Sequence, residues 1–254
     1  MGLTTLSGHL ICISAAERAA VLAHLPDHIR QTMREPGCLY FDVAQSTDPM
    51  VWSVNEAFAT RADFKAHQAR TASSPWASAT MGIRRDYAVE RGNPEVRPES
   101  PSDTGAAYLL NRDAFGRNDE ADLVNALRAS GDLILSMVAV LGRAYLGHAG
   151  FSALEAPFHG LALAPVAVRA NVRGQGIADR LIRSGISLAR DQGYEGIVVL
   201  GDPAYYARFG FSVAAARDFT SPYAGPHLMV LDLKRAGLPT TGTLTYAPAF
   251  DALG

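Results

Sequence analysis

The chain has 254 residues, a length that suggests two domains of roughly 100–150 residues each. Hydrophobic residues form 48% of it and charged residues 19%, a balance typical of folded globular protein rather than disordered chain. The formal net charge of -2 leaves no basic surplus to neutralise phosphates, so nucleic acid is not expected as a partner.

Residues 1–8 lack a basic region followed by an apolar core, so no secretory signal is expected. The longest apolar runs, such as Leu133–Leu141, are far shorter than the roughly 20 residues that cross a bilayer. The two cysteines, Cys12 and Cys38, have no metal-ligand spacing. We therefore expect a cytoplasmic protein with no membrane partner and no bound metal.

The N-terminal part of the chain alternates between strand and helix patterns. A strand pattern at 6–13 runs into a capping box, Ser14 to Glu17, and apolar residues then recur at helical spacing until Pro36. The elements predicted after this helix are strands at Cys38–Gln45 and Val51–Phe58, a helix that opens at 60–63, and a strand at 83–90. This βαββαβ order predicts a ferredoxin-like domain, an antiparallel sheet with two helices on one face.

Residues 91–102 combine Gly, Pro and charged residues, so we divide the chain into domains 1–92 and 93–254. The elements predicted beyond this boundary are a strand at 95–97, helices at 102–115 and 119–129, strands at Leu133–Leu141, 143–151 and Gly160–Val168, a helix at 176–192, a strand at Gly196–Leu200, a short helix at 203–209, and strands at 211–213 and 227–233. The fold class is therefore α+β, with the ferredoxin-like domain followed by a mixed α/β domain.

The loop 173–178 joins the strand Gly160–Val168 to the helix after it, within a βαβ unit. Backbone amides at such a helix start point to a common centre at the positive end of the helix dipole, which is where anions bind. Gly174 and Gly176 lack Cβ atoms, so phosphate oxygens can approach the amides closely. The loop lacks the lysine of the ATP-binding P-loop and the three glycines of the dinucleotide fingerprint. Taken alone, it fits a structural turn equally well.

The pattern Arg173-x-x-Gly176-x-Ala178 resembles the R/Q-x-x-G-x-G/A signature of the GNAT superfamily of N-acetyltransferases, and residues 200–211 are similar to that family's last helix and the strand after it. The resemblance covers about residues 94–233. It implies transfer of an acetyl group from acetyl-CoA to a small-molecule amine, without a metal. The cofactor-binding residues it implies are Val166, Ala167 and Val168 for pantetheine and Arg173, Gly174, Gln175, Gly176, Ile177 and Ala178 for the pyrophosphate.

Tyr206 lies four residues before Gly210, where the family often places a tyrosine that protonates the departing thiolate. A phenol with a pKa near 10 can donate to a thiolate of comparable basicity if the hydroxyl reaches the sulfur. Two alternatives stay open, that Tyr206 packs its helix against the sheet and that Tyr205 is the acid. No general base is assigned, because exposed or structural roles are expected for the candidates Glu155, His159, Asp202 and His227.

Three segments of the first domain, 35–42, 55–58 and 64–67, resemble the antibiotic biosynthesis monooxygenase family of small dimeric ferredoxin-like proteins. The resemblance covers about residues 6–92. It implies either a cofactor-free oxygenase of quinol-like aromatics or a dimerisation module. His67 and Trp76 fit a substrate pocket over the sheet, or else packing roles. Glu56 is interpreted as facing the side of its strand opposite Val54, paired with an Arg or His or solvated.

A sheet with helices on one face is expected to leave an apolar face uncovered, so we predict a homodimer through the N-terminal domain. Our main interpretation is thus an N-acetyltransferase with a dimerisation or accessory domain. Two alternatives remain, a bifunctional protein whose first domain is a monooxygenase and a non-catalytic coenzyme A sensor.

Overall fold

The computed structural model describes residues 2–234 and 237–253. The chain divides into two compact units, unit 1 with Met1–Pro94 and Leu141–Ala144, and unit 2 with Glu95–Val140 and Tyr145–Gly254. No helix in the described residues is both long and apolar enough to cross a bilayer.

Unit 1 has the predicted ferredoxin-like arrangement. Its elements are β1 (Thr4–Ile11), α1 (Ala15–Met33), β2 (Cys38–Gln45), β3 (Val51–Phe58), α2 (Arg61–Ala72), α3 (Pro75–Ala79) and β4 (Arg84–Arg91). The strands form an antiparallel sheet in the order β2-β3-β1-β4. Helix α1 begins where predicted, because the Ser14 hydroxyl accepts a hydrogen bond from the Glu17 amide. Helix α3, which we did not predict, is capped in the same way by Ser74.

The expectation of an apolar uncovered sheet face is wrong. Leu6, Leu10 and Val54 are buried in the core with the helices. Residues between them point to the other face, because side chains alternate along a strand. That face carries mostly polar or small residues in paired register, namely Ser7 and His9 on β1, Ser53 and Asn55 on β3, and Asp86 and Ala88 on β4. The sheet face therefore gives no apolar argument for a dimer.

Unit 2 is a mixed sheet flanked by helices. Its elements are β5 (Glu95–Pro98), α4 (Thr104–Phe115), α5 (Asp119–Ser130), β6 (Leu133–Leu141), β7 (Ala144–Glu155), β8 (Gly160–Val168), α6 (Ile177–Asp191), β9 (Gly196–Leu200), α7 (Pro203–Tyr206), α8 (Val213–Ala216), β10 (Phe219–Thr220), β11 (Leu228–Asp232), β12 (Gly242–Thr243) and β13 (Thr245–Tyr246). The sheet order is β11-β9-β8-β7-β6-β5, with β13 paired to β7 and β8 parallel to β9.

The strand predicted at 211–213 is wrong. Only Ser212 forms a bridge there, with Val230, and α8 begins at the next residue. The cause is a local cap, because the Ser212 hydroxyl accepts a hydrogen bond from the Ala215 amide and stabilises a helix start. The short strands β10, β12 and β13 were not predicted, since two-residue strands depend on distant partners rather than on local pattern.

Candidate active site

The loop before α6 is built for close approach of a ligand. Gly176 is the N-cap of the helix with φ 77°, and Gly174 has φ 74°. Both angles lie in the left-handed region that glycine tolerates best. A Cβ added at either position would meet no protein atom within 4 Å, so both glycines border open space. Because Gly176 has no side chain to cap the helix, amides of the first turn are left for an anion.

Strands β8 and β9 separate halfway along their length. Their parallel pairing runs from Gly160 opposite Gly196 to Leu163 opposite Val199 and ends there. Beyond Leu163, β8 continues against β7 alone. The sheet is thus splayed between these two strands, next to Val166 and Val168.

The register of β8 on β7 determines which backbone groups face this gap. The Arg169 amide donates to the carbonyl oxygen of Leu146 at 2.9 Å, which directs the backbone groups of Ala167 toward β7 as well. The N–H and C=O groups of Val166 and Val168 therefore point away from β7 and into the gap. They offer a strand edge with which the amides of an extended ligand can pair.

The loop, the gap and α7 surround one cleft of about 520 Å³. It is lined by Ala114, Phe115, Val166, Ala167, Val168, Arg173, Gly174, Gly176, Ile177, Ala178, Asp179, Tyr205, Tyr206 and Arg208. Every predicted site residue lines it except Gln175. No sequence pattern indicated Ala114 and Phe115, because they come from α4, far from the signature along the chain.

The side chain of Arg173 binds the protein rather than pointing freely into the cleft. Its Nε donates to the Val168 carbonyl at 3.2 Å and its Nη2 to the Ala114 carbonyl at 2.8 Å. These bonds tie the loop to the end of β8 and to α4. Arg173 therefore holds the loop in shape, and the amides of the first turn of α6 are the groups left for an anion.

The two tyrosines of α7 differ in their environment. The Tyr205 hydroxyl donates to Asp179 Oδ1 at 3.0 Å, and the Arg208 guanidinium lies 4.5 Å from the centre of its ring. Burial, followed by this hydrogen bond, raises the pKa of Tyr205 well above its usual range. The hydroxyl of Tyr205 is thus committed to a structural partner.

Tyr206 has a free hydroxyl on a fixed ring. Its ring packs edge-on against Phe211, with centroids 5.8 Å apart, and lies directly against the Gly201 backbone. Burial raises the pKa of Tyr206, and in the described part of the chain no hydrogen bond accompanies this burial. The raised pKa keeps the phenol protonated at neutral pH, the form that a proton donor needs.

The four base candidates do not line the cleft as the described residues form it. The His159 ring stacks on Tyr194 with centroids 4.1 Å apart, and the Asp202 carboxylate caps α7 by accepting from the Ala204 amide. His227 Nδ1 lies 3.2 Å from the Gly201 carbonyl oxygen. These are local structural contacts, and they leave the general base unassigned.

A metal site is not formed by the described side chains. Within residues 2–234 and 237–253, no three His, Cys, Asp or Glu side chains lie close enough together to bind a metal ion.

Unit 1 contains a pocket of its own, about 450 Å³, between the sheet and the helices. His67 and Trp76 both line it, as do Glu56 and Val54. The interpretation that Glu56 faces away from Val54 is therefore wrong, because residues two apart on a strand share a face. His67 is also held by Glu35, whose Oε2 lies 3.0 Å from His67 Nδ1.

Two family models match the chain in the order that the structure presents. The model "Antibiotic biosynthesis monooxygenase" matches residues 11–77, and the model "Acetyltransferase (GNAT) family" matches residues 104–211. The first range lies in unit 1 and the second in unit 2, although the tip of the β6–β7 hairpin belongs to unit 1. The chain thus combines a domain of the antibiotic biosynthesis monooxygenase type with a domain of the GNAT type.

Known relatives support the same class. The uncharacterized N-acetyltransferase YhbS of Escherichia coli K12 is 37% identical over 134 residues, which are 51% of this chain and 80% of the relative. The crystal structure of Escherichia coli YhbS in complex with CoA has a TM-score of 0.61 at 32% identity and covers 67% of this chain and 97% of that one. A GNAT acetyltransferase of Brucella melitensis in complex with acetyl-CoA has a TM-score of 0.54 at 32% identity, with 63% and 100% covered. The chain belongs to the GNAT family of acetyltransferases, and both predicted resemblances are confirmed.

Proposed function

We propose that the protein transfers an acetyl group from acetyl-CoA to a small-molecule amine by direct attack. The observation that carries this proposal is the meeting of three features in one cleft, the glycine loop, the gap beside Val166 and Val168, and the Tyr206 hydroxyl. Its volume of about 520 Å³ lies within the usual range of ligand pockets, roughly 300–1,000 Å³. Solved GNAT relatives that hold CoA or acetyl-CoA add support.

The residues of the chain divide the work of binding and proton transfer. Amides of the loop 173–178 hold the pyrophosphate, and the backbone groups of Val166 and Val168 pair with the pantetheine amides. The bound donor supplies the thioester to be cleaved. A backbone amide of β8 stabilises charge that develops on the carbonyl oxygen, and Tyr206 Oη holds the proton that the departing thiolate requires. The acceptor and the base that deprotonates it are not assigned.

The direct test is release of free thiol from acetyl-CoA in the presence of a panel of small amines. Amine-dependent thiol release, with the acetylated amine detected by mass spectrometry, is the expected outcome. If the protein binds acetyl-CoA but releases no thiol with any amine, the coenzyme A sensor becomes the better description.

The pocket of unit 1 favours a second candidate function, because it brings His67 and Trp76 together over the sheet. A bifunctional protein would oxidise a quinol-like aromatic there without a cofactor. Oxygen consumption with quinols, measured on the full chain, tests this alternative, and its absence leaves unit 1 as an accessory domain.

The domain division at residues 92 and 93, a cytoplasmic location and a homodimer through the N-terminal domain stay predictions. The argument for a dimer no longer holds, because the uncovered sheet face carries mostly polar or small residues. Sedimentation of the full chain decides the question, and a monomer across the micromolar range would reject the dimer.

A further inference from the structure

The pocket of unit 1 has aromatic walls from both the sheet and the helices. Phe41 comes from the sheet, Phe64 from α2 and Trp76 from α3, with Tyr87 on the edge strand β4. The Trp76 ring is held flat against His28, with centroids 4.9 Å apart and an interplanar angle of 3°. A cavity of about 450 Å³ with such walls accommodates a small molecule that has an apolar body.

One carboxyl oxygen in this pocket has no hydrogen-bond partner among the described residues. Glu56 is 6% exposed, and its Oε2 atom is buried without a hydrogen bond. Within residues 2–234 and 237–253, its one contact with a basic group is His67 Nε2 at 3.8 Å, which is too long for a hydrogen bond. Buried polar atoms in native proteins are nearly always paired, so an unpaired one calls for an explanation.

The neighbouring His67 presents a second acceptor atom. Its Nδ1 lies 3.0 Å from Glu35 Oε2, and the other oxygen of Glu35 accepts from Arg70 Nε at 2.8 Å. Arg70 Nη2 lies 3.3 Å from the same Nδ1, and because the contact with Glu35 is the shorter one, we assign the ring proton to Nδ1 and the lone pair to Nε2. That lone pair faces the Glu56 carboxyl and has one further contact, with the Thr71 hydroxyl at 3.4 Å.

The other groups around Glu56 do not supply a neutralising cation. Burial lowers the pKa of His28 to about 3 and also lowers the pKa of His67, so both rings are neutral near pH 7. The Arg85 guanidinium donates to the Thr80 hydroxyl at 2.7 Å and to two backbone carbonyls. The titratable groups that surround Glu56 are His28 and Glu35 from the α1 side, His67 and Arg70 on α2, Tyr40 on β2, and Arg85 and Tyr87 on β4. Burial, and then the charge of Glu35, raise the pKa of Glu56 to about 8.

We propose that this pocket binds an amine with an apolar body, whose ammonium group bridges Glu56 Oε2 and His67 Nε2. Glu56 Oε2 and His67 Nε2 lie 3.8 Å apart, too far for a hydrogen bond between them, and a group with several N–H donors can contact both once Glu56 has lost its proton. The aromatic rings that line the pocket supply contacts for the apolar body of the amine. Binding transfers the Glu56 proton to solvent and leaves a carboxylate paired with the ammonium.

The test uses the full chain without acetyl-CoA, titrated calorimetrically with three arylalkylamines, namely phenethylamine, 3-phenylpropylamine and tryptamine, and with 2-phenylethanol as the uncharged counterpart. Since Glu56 must lose its proton, amine affinity is expected to rise by up to about tenfold per pH unit between pH 5.5 and 7.5. The alcohol is expected to bind at least about tenfold more weakly at pH 8. Proton release is read from the dependence of the heat on buffer ionisation enthalpy.

The matched variants are Glu56→Gln and Glu90→Gln, the second on an exposed position of β4. Removing the charge at Glu56 is expected to weaken amine binding at pH 8 at least about 30-fold, since one partner of a buried charged pair is lost. Glu90→Gln is expected to bind as the parent does. Equal binding by Glu56→Gln places the amine elsewhere and overturns the proposal.

Three results with the parent protein alone also overturn it, should Glu56→Gln fail to fold. They are failure of all three amines to bind, binding of the alcohol as tight as that of phenethylamine, and an amine affinity that does not increase between pH 5.5 and 7.5. The second result would assign the pocket to an uncharged ligand, and the third would show that amine binding does not require Glu56 to lose a proton. All of these measurements stand apart from acetyl transfer, because no acyl donor is present.

Discussion

The cleft of unit 2 and the pocket of unit 1 are formed in different ways. The cleft of unit 2 is lined by main chain, with two glycines at left-handed angles and a strand whose backbone groups at Val166 and Val168 face a gap. The pocket of unit 1 is lined by side chains that come from strands and helices far apart in the sequence. A site formed by backbone groups produces a short motif that can be recognised in the sequence, whereas a site formed by packed side chains does not.

We expect the largest effect on turnover. This prediction tests whether a side chain contributes to catalysis in the cleft of unit 2, where backbone groups bind the cofactor. Tyr206→Phe removes the unpaired hydroxyl and keeps the ring that packs on Phe211, so we expect kcat to fall about 10²-fold or more. Acetyl-CoA binding is expected to stay intact. Steady-state kinetics with an accepted amine measures this loss, and an acyl donor with a more acidic thiol is expected to restore part of it.

Tyr205→Phe is the matched control, since its hydroxyl is bound to Asp179. It is expected to keep turnover within about threefold of the parent. Equal turnover of Tyr206→Phe and parent would remove Tyr206 from the mechanism, and a joint loss of binding and turnover would indicate a packing role.

The next effect concerns the glycine loop. Acetyl-CoA at about 100 times its Kd is expected to stabilise the parent by about 2.7 kcal/mol, seen as a higher melting temperature. Gly176→Val is expected to abolish this shift, because its side chain projects into the open space beside the amides. Gly193→Val is the control, because Gly193 has a similar φ of 83° and open surroundings at the other end of α6. An unchanged shift in Gly176→Val would place the cofactor elsewhere.

A third prediction concerns the stability of unit 1 as a function of pH. The pKa of Glu56 is raised from 4.5 to about 8, so the folded state holds a proton that the unfolded state has released between these values. Stability is therefore lost as pH rises through this window, by up to about 1.4 kcal/mol per pH unit. His28, with its pKa lowered to about 3, has the opposite dependence below 6.5, so the slope is clearest between pH 6.5 and 8.

Glu56→Gln is expected to flatten this slope. Urea unfolding followed by tryptophan fluorescence measures it, because both tryptophans, Trp52 and Trp76, lie in unit 1. The same slope in the variant and the parent would show that burial in the pocket does not change the pKa of Glu56. The packed side chains of the pocket would then have no electrostatic effect on this group.

The smallest effect belongs to the hydrogen bond between Tyr205 and Asp179, which is half-exposed at the cleft. Its removal in Tyr205→Phe is expected to cost about 1 kcal/mol of unfolding free energy. Thermal unfolding followed by circular dichroism measures the change. A loss above about 3 kcal/mol would mean that side-chain contacts hold the cleft together as they hold the pocket.

The sequence by itself determined most elements and the cofactor loop. Five strands have the predicted bounds, because apolar runs between turn residues specify a strand locally: Cys38–Gln45, Val51–Phe58, Leu133–Leu141, Gly160–Val168 and Gly196–Leu200. The loop 173–178 could also be predicted locally, because glycines at a helix start act through their own backbone.

Only the tertiary structure decided what depends on distant neighbours. The two neighbouring tyrosines differ because the Tyr205 hydroxyl donates a hydrogen bond to Asp179 on α6. The structure also shows that Glu56 Oε2, beside His67, has no hydrogen-bond partner among the described residues. It also showed Arg173 bound to the carbonyl of Ala114, which is 59 residues away along the chain. Hydrogen bonding, burial and the pKa of a group are properties of its surroundings in space, and local sequence patterns do not encode those surroundings.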